Sequence, residues 1–106
     1  MGASDSSILD EIVRRIVAVA DPDRVVLFGS RARGDASPDS DRDFLVVKAG
    51  VPHRRKLAQD IYLGLLGVPA AVEVMVFRPE DLEAERDCPW SVVPLAMSEG
   101  KLVHAR

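Results

Sequence analysis

A short apolar run, Val25-Val26-Leu27-Phe28, is cut off by Gly29-Ser30, and a second, Phe44-Leu45-Val46-Val47, opens behind Asp41-Arg42-Asp43. No other stretch restricts the fold as strongly. Consecutive apolar residues with β-branching suit a strand buried on both faces. A glycine at its end marks a sharp turn. Strand side chains alternate, so Asp41, Asp43, Leu45 and Val47 share one face of the second strand. Arg42, Phe44, Val46 and Lys48 share the other.

The flanking segments supply the cover such strands need. Ile8, Leu9, Ile12, Val13, Ile16, Val19 and Ala20 recur at helical spacing. They predict an amphipathic helix of about three turns, opened by a Ser7/Asp10 capping box and stopped at Asp21-Pro22. Ser30 is expected to cap a short helix over Arg31–Gly34, and residues 35–40 read as a loop around Pro38. Pro52–Leu66 reads as a helix that buries Leu57, Ala58, Ile61, Tyr62 and Leu65, with Leu63 and Leu66 off that stripe. Ala71–Phe77 is a third strand. Val72, Val74 and Val76 face one side, and Ala71, Glu73, Met75 and Phe77 face the other. Pro79 opens a short acidic helix, Trp90–Ser98 reads as the last helix, and Leu102-Val103-His104 as a closing edge strand. The order predicts an α/β fold, a small mixed sheet of three to four strands covered by helices. A single domain over residues 1–106 is expected.

Composition narrows the function classes. A formal net charge of −3 argues against a chain whose affinity comes from neutralising a nucleic-acid backbone, so no long nucleic acid is expected. The single cysteine, Cys88, permits no internal disulfide and fits a cytoplasmic setting; it reads as a packing residue. No run reaches the roughly 18 apolar residues of a membrane span, and no secretory signal is present, so no membrane is expected. The opening Met1-Gly2-Ala3-Ser4-Asp5-Ser6 matches a loose myristoylation pattern, but no basic cluster follows it. His53 and His104 have no cysteine or acid at zinc-ligand spacing. His53-Arg54-Arg55-Lys56 puts four basic residues at a helix start and reads as a solvated face.

Three features bear on chemistry, each with an ordinary reading beside it. Asp41 and Asp43 would repel one another across two strand rises, and a divalent cation such as Mg²⁺ or Mn²⁺ resolves that conflict. Alternatively they cap a solvated strand start and pair with Arg31, Arg33 or Arg42. Gly29-Ser30 lets a phosphate approach the backbone closely, or is an ordinary strand-to-helix turn. It is not a P-loop, since no Walker lysine follows. Glu73 is a charge within an apolar strand that needs a partner or water. It faces solvent on an edge strand, or joins Asp41 and Asp43 if the second and third strands are neighbours.

The combination is more specific than its parts. Gly29-Ser30-Arg31-Ala32-Arg33-Gly34, then Ser40-Asp41-Arg42-Asp43 and the acid of Val72-Glu73-Val74, closely resemble the minimal nucleotidyltransferases of the DNA polymerase beta superfamily. The resemblance runs from the first helix to Glu99-Gly100. It implies a polymerase-beta-like nucleotidyltransferase core with two Mg²⁺ ions held by Asp41 and Asp43, one escorting a nucleoside triphosphate. Gly29 and Ser30 would hold its β- and γ-phosphates. Glu73 would complete the metal site and help activate an acceptor hydroxyl. Arg31 or Arg33 would neutralise phosphate charge, unless Arg33 pairs instead with Asp35 or Asp43.

Minimal members of this superfamily resemble antitoxins of toxin-antitoxin systems, partnered by a helical HEPN-domain toxin onto whose tyrosine they transfer AMP. The resemblance therefore implies an Mg²⁺-dependent, ATP-using transferase whose acceptor is a partner protein. Leu63, Leu66 and Trp90 are then candidate partner-facing groups. Two alternatives stay open: an antitoxin that neutralises its partner by contact alone, and a small-molecule transferase that widens its cleft as a homo-oligomer.

Overall fold

The computed structural model describes residues 5–34 and 41–106. The start of the myristoylation-like segment and the loop at residues 35–40, Asp35 included, lie outside the described residues. The elements are α1 (Asp5–Ala20), β1 (Arg24–Phe28), α2 (Ser30–Arg33), β2 (Arg42–Val47), α3 (Arg54–Gly64), β3 (Val72–Phe77), α4 (Pro79–Glu85), α5 (Val93–Glu99) and β4 (Lys101–Ala105). The four strands form one sheet in the order β3-β2-β1-β4. β1 runs antiparallel to both β2 and β4, whereas β2 and β3 are parallel and joined through α3. The sheet is mixed, as expected, and has four strands.

Alternation along the strands builds two cores, one per sheet face. Val25, Leu27, Phe44, Val46, Val74 and Val76 pack with Ile12, Ile16 and Ala20 of α1 and with Ile61 and Leu65 at α3. On the opposite face, Val26, Phe28, Leu45, Val47 and Phe77 meet Leu82 of α4 and Val93 and Ala96 of α5. Covering both faces explains why β1 and β2 read as continuous apolar runs rather than alternating ones. Among the described residues no helix is long and apolar enough to cross a membrane.

Several local expectations are corrected. α1 already begins at Asp5 and has 16 residues, so Ser7 sits in its first turn and not at its cap. α3 starts at Arg54, two residues after Pro52, and α5 starts at Val93, with Trp90 in the turn before it. Tyr62 belongs to the inward stripe by spacing yet is 41% exposed, because its ring ends at the sheet edge. Its hydroxyl accepts a hydrogen bond from the Val74 backbone N–H at 2.8 Å. It thereby occupies a donor that an edge strand would otherwise offer to another chain. Leu63 and Leu66 are exposed, as their place off the stripe predicts.

A capping box sets the start of α4, and one glycine sets the junction of α5 with β4. The Asp81 carboxylate accepts hydrogen bonds from both the backbone N–H and the side chain of Arg78, closing a capping box at α4. The Arg78 hydrogen bond, with smaller help from Arg54, pulls the Asp81 carboxyl down to about 2. Where α5 passes into β4, a Cβ at Gly100 would meet the Ala96 carbonyl oxygen at 2.2 Å and Val26 Cγ1 at 2.4 Å. Neither atom can yield without moving helix or core. Gly100→Ala is therefore expected to cost about 1–3 kcal/mol. The thermal midpoint should fall by several degrees, which differential scanning calorimetry would read.

Candidate active site

The strand arrangement gathers residues distant in sequence at one end of the sheet. β1 ends at Phe28, whose register partner is Asp43 near the start of antiparallel β2. β3 starts beside β2 in parallel, and Asp43 and Glu73 are register partners. The end of β1 and the starts of β2 and β3 therefore coincide. Asp43 and Glu73 stand side by side on the face that buries Leu45, Val47 and Phe77 further along.

The Gly29-Ser30 turn abuts Asp43 of this carboxylate pair. Gly29 has φ 79° and ψ −158°, a backbone conformation essentially reserved for glycine. A Cβ built there would lie 2.5 Å from Asp43 Oδ2. The glycine is needed twice, once for its dihedrals and once for the space the Asp43 carboxyl occupies. Gly29 itself takes the cap position of α2, and Ser30 is the first helical residue rather than the cap expected from the sequence. Gly34, in left-handed geometry, closes the helix with its N–H donating to the Ser30 carbonyl at 3.0 Å.

The electrostatics match the geometry. Burial, then the Glu73 charge, then the Asp41 charge, and then hydrogen bonding with Glu73 hold the Asp43 carboxyl above its ordinary value of 3.8. Glu73 therefore perturbs Asp43 more than Asp41 does. The cross-strand neighbour outweighs the neighbour along the strand. Both readings of Glu73 hold in part: it lies exposed on an edge strand, and it is the direct companion of Asp43. Asp41 precedes β2 and is exposed.

The basic residues divide. Arg31 is half-buried, and Arg42 is buried at 6% exposure on the sheet face opposite Asp43. Arg33 Nη1 donates to Glu99 Oε1 at 2.7 Å, linking α2 to the end of α5. Asp43 and Asp35 are the partners its sequence neighbourhood suggests, whereas Glu99 lies 66 residues away. The only available cue was that Glu99 ends a helix, and nothing local ties it to Arg33.

Whether these side chains fit a divalent cation can be judged from the donors themselves. Among the described residues no group of three or more His, Cys, Asp or Glu side chains is drawn tightly enough to ligate an ion as it stands. The Asp43–Glu73 pair with Asp41 nearby is nonetheless an all-oxygen donor set. Burial first, and then the charges of Glu73 and Asp41, raise the Asp43 carboxyl, and a hard cation relieves the repulsive part. The donor chemistry thus suits Mg²⁺ or Mn²⁺ and is poor for softer metals.

A helix-covered mixed sheet with paired carboxylates facing a Gly-Ser turn defines a polymerase-beta-like nucleotidyltransferase fold. The sequence matches the family described as "Nucleotidyltransferase domain" over residues 7–102, and the chain belongs to that family. Solved structures of this fold resemble it over most of its length. A Sulfolobus solfataricus protein assigned as a nucleotidyltransferase superposes with a TM-score of 0.64 at 24% identity, covering 100% of this chain and 93% of its own. A toxin-antitoxin structure with AMP-PNP gives 0.56 at 20% identity, covering 97% and 75%. The spectinomycin adenyltransferase AAD(9) from Enterococcus faecialis, with ATP and spectinomycin, gives 0.51 at 17% identity, covering 93% of this chain and 48% of that one. No curated protein sequence matches the chain.

Proposed function

We propose that this chain is a single-domain, Mg²⁺-dependent nucleotidyltransferase. It moves a nucleoside monophosphate, AMP from ATP, to a hydroxyl of a partner protein. The observation that carries this reading is the approach of Gly29 to Asp43 with Glu73 as the neighbouring strand's register partner. A triphosphate brings anionic oxygens that an unaided carboxylate pair would repel, so the same place must bind metal and nucleotide together. Asp41, Asp43 and Glu73 are the residues that would hold Mg²⁺. A bound divalent ion supplies charge neutralisation of the phosphates and Lewis acidity at the α-phosphate.

The protein's own groups do the rest. The Gly29-Ser30 turn admits the β- and γ-phosphates next to its backbone, and Arg31 and Arg33 offset their charge. Glu73, exposed at the sheet edge, is reachable by an incoming acceptor and takes the proton of its hydroxyl. The acceptor oxygen forms a bond to the α-phosphorus, the bond to the bridging α–β oxygen breaks, and pyrophosphate departs with that electron pair. Transfer in this sense requires alignment more than covalent chemistry by the protein.

The acceptor we favour is a tyrosine of a HEPN-type toxin. In support, the toxin-antitoxin structure covers 97% of this chain. The exposed Leu63, Leu66 and Trp90 offer apolar contacts to such a partner. The test is to incubate the protein with Mg²⁺, α-labelled ATP and the product of the adjacent gene. Label should move to that protein and should not move when the Asp41→Asn/Asp43→Asn variant is used. Neutralisation of the neighbour that survives the double substitution without label transfer would replace this reading with contact-only antitoxin action. Label appearing on a small hydroxylated compound instead would place the chain with the small-molecule adenyltransferases.

A further inference from the structure

We propose that Glu99 is a positioning residue for the triphosphate, acting through Arg33; this rests on the nucleotide site argued above. α2 has four residues, so Arg33 lies one helical turn, about 6 Å of rise, from the glycine that faces Asp43. The Glu99 carboxylate holds Arg33 Nη1 at 2.7 Å. A guanidinium carries five N–H donors in a fixed fork. Arg33 is 42% exposed, so a dissolved anion can reach its side chain with the Glu99 contact in place.

The grip is anchored from behind. Glu99 is the last residue of α5, and the Gly100 N–H donates to the Ala96 carbonyl at 2.9 Å. Gly100 also sits where no Cβ fits between Ala96 and Val26. The carboxylate therefore projects from a backbone wedged against the core, while the partner it holds projects from a short helix beside the carboxylates. Fixing a long arginine beforehand removes part of the ordering cost that phosphate binding would otherwise bear. Exposed ion pairs contribute little to stability, so loss of this one leaves the fold in place and exposes its effect on binding.

The test compares two nucleotides on the full chain with Mg²⁺ present: a non-hydrolysable ATP analogue, and AMP, which lacks the β- and γ-phosphates. For Glu99→Gln, calorimetric titration should show the triphosphate Kd rising about 10-fold, with the AMP Kd within about 2-fold. Adding Arg33→Gln to Glu99→Gln should weaken the triphosphate no further than Arg33→Gln alone. A triphosphate Kd that is unchanged, tightened, or weakened in step with that of AMP overturns the role of Glu99. Such a result leaves the nucleotide site standing. A wild-type protein that binds neither nucleotide overturns both.

Discussion

Asp43→Asn is expected to cut nucleotidyl transfer at least about 100-fold while making the apo protein more stable at pH 7. The two effects share one cause. Asp43 sits partly desolvated beside Glu73 and Asp41, and its carboxyl is held above 3.8. The folded state therefore favours the protonated form. The stability linked to that proton is fully present below pH 3.8, the unfolded value. It is lost as pH rises through the higher folded value, so at neutral pH the ionised Asp43 weighs against the fold. Asparagine carries no charge there. The thermal midpoint of Asp43→Asn should exceed that of the wild type at pH 7, and the gap should close as the pH approaches 4. Mg²⁺ with a triphosphate should raise the wild-type midpoint and leave that of the variant nearly unmoved. A variant less stable than the wild type at pH 7 would mean that Asp43 is a structural residue.

Gly29→Ala should be the most damaging single methyl addition to the site. Backbone with φ 79° and ψ −158° is strained for alanine, costing about 1–3 kcal/mol. The new Cβ would also lie 2.5 Å from Asp43 Oδ2, so the carboxylate must swing away from the turn. Gly50→Ala separates the two costs. Gly50 has φ 76°, and a Cβ there meets nothing within 4 Å. Both variants should lose thermal stability, but only Gly29→Ala should lose metal-dependent nucleotide binding, by at least about 10-fold. Equal binding by the two would show that the turn does not shape the site.

Much of this site is legible in the chain because local periodicity encodes it. The two-residue alternation puts Asp43 on the face of Leu45 and Val47, although β2 begins only at Arg42 and leaves Asp41 just ahead of it, and the double-sided apolar runs foretell a covered central strand. Gly29 announces a turn for the same reason it is needed there. What local pattern cannot encode is register. Nothing near Gly29 specifies that Asp43 meets its α-carbon, and nothing near Glu73 specifies parallel pairing with β2. The first contact follows from the antiparallel pairing of β1 with β2, and the second from how α3 returns the chain to the β2 edge. The Arg33–Glu99 pair spans 66 residues and was invisible for that reason. Tyr62 differs in another way: helical spacing places it in the core, but a phenol's polar tip is better satisfied at the sheet edge, where it accepts from the Val74 N–H.

Paramagnetic resonance of Mn²⁺ tests the metal-nucleotide site most directly, because it needs no acceptor. Free Mn²⁺ gives a sharp signal that diminishes on binding. Titrating wild-type protein into Mn²⁺ and a non-hydrolysable ATP analogue should remove more of that signal than the analogue removes alone. Asp43→Asn should remove no more than the analogue. Equal removal by the wild type and the variant would contradict a metal-nucleotide site at Asp43.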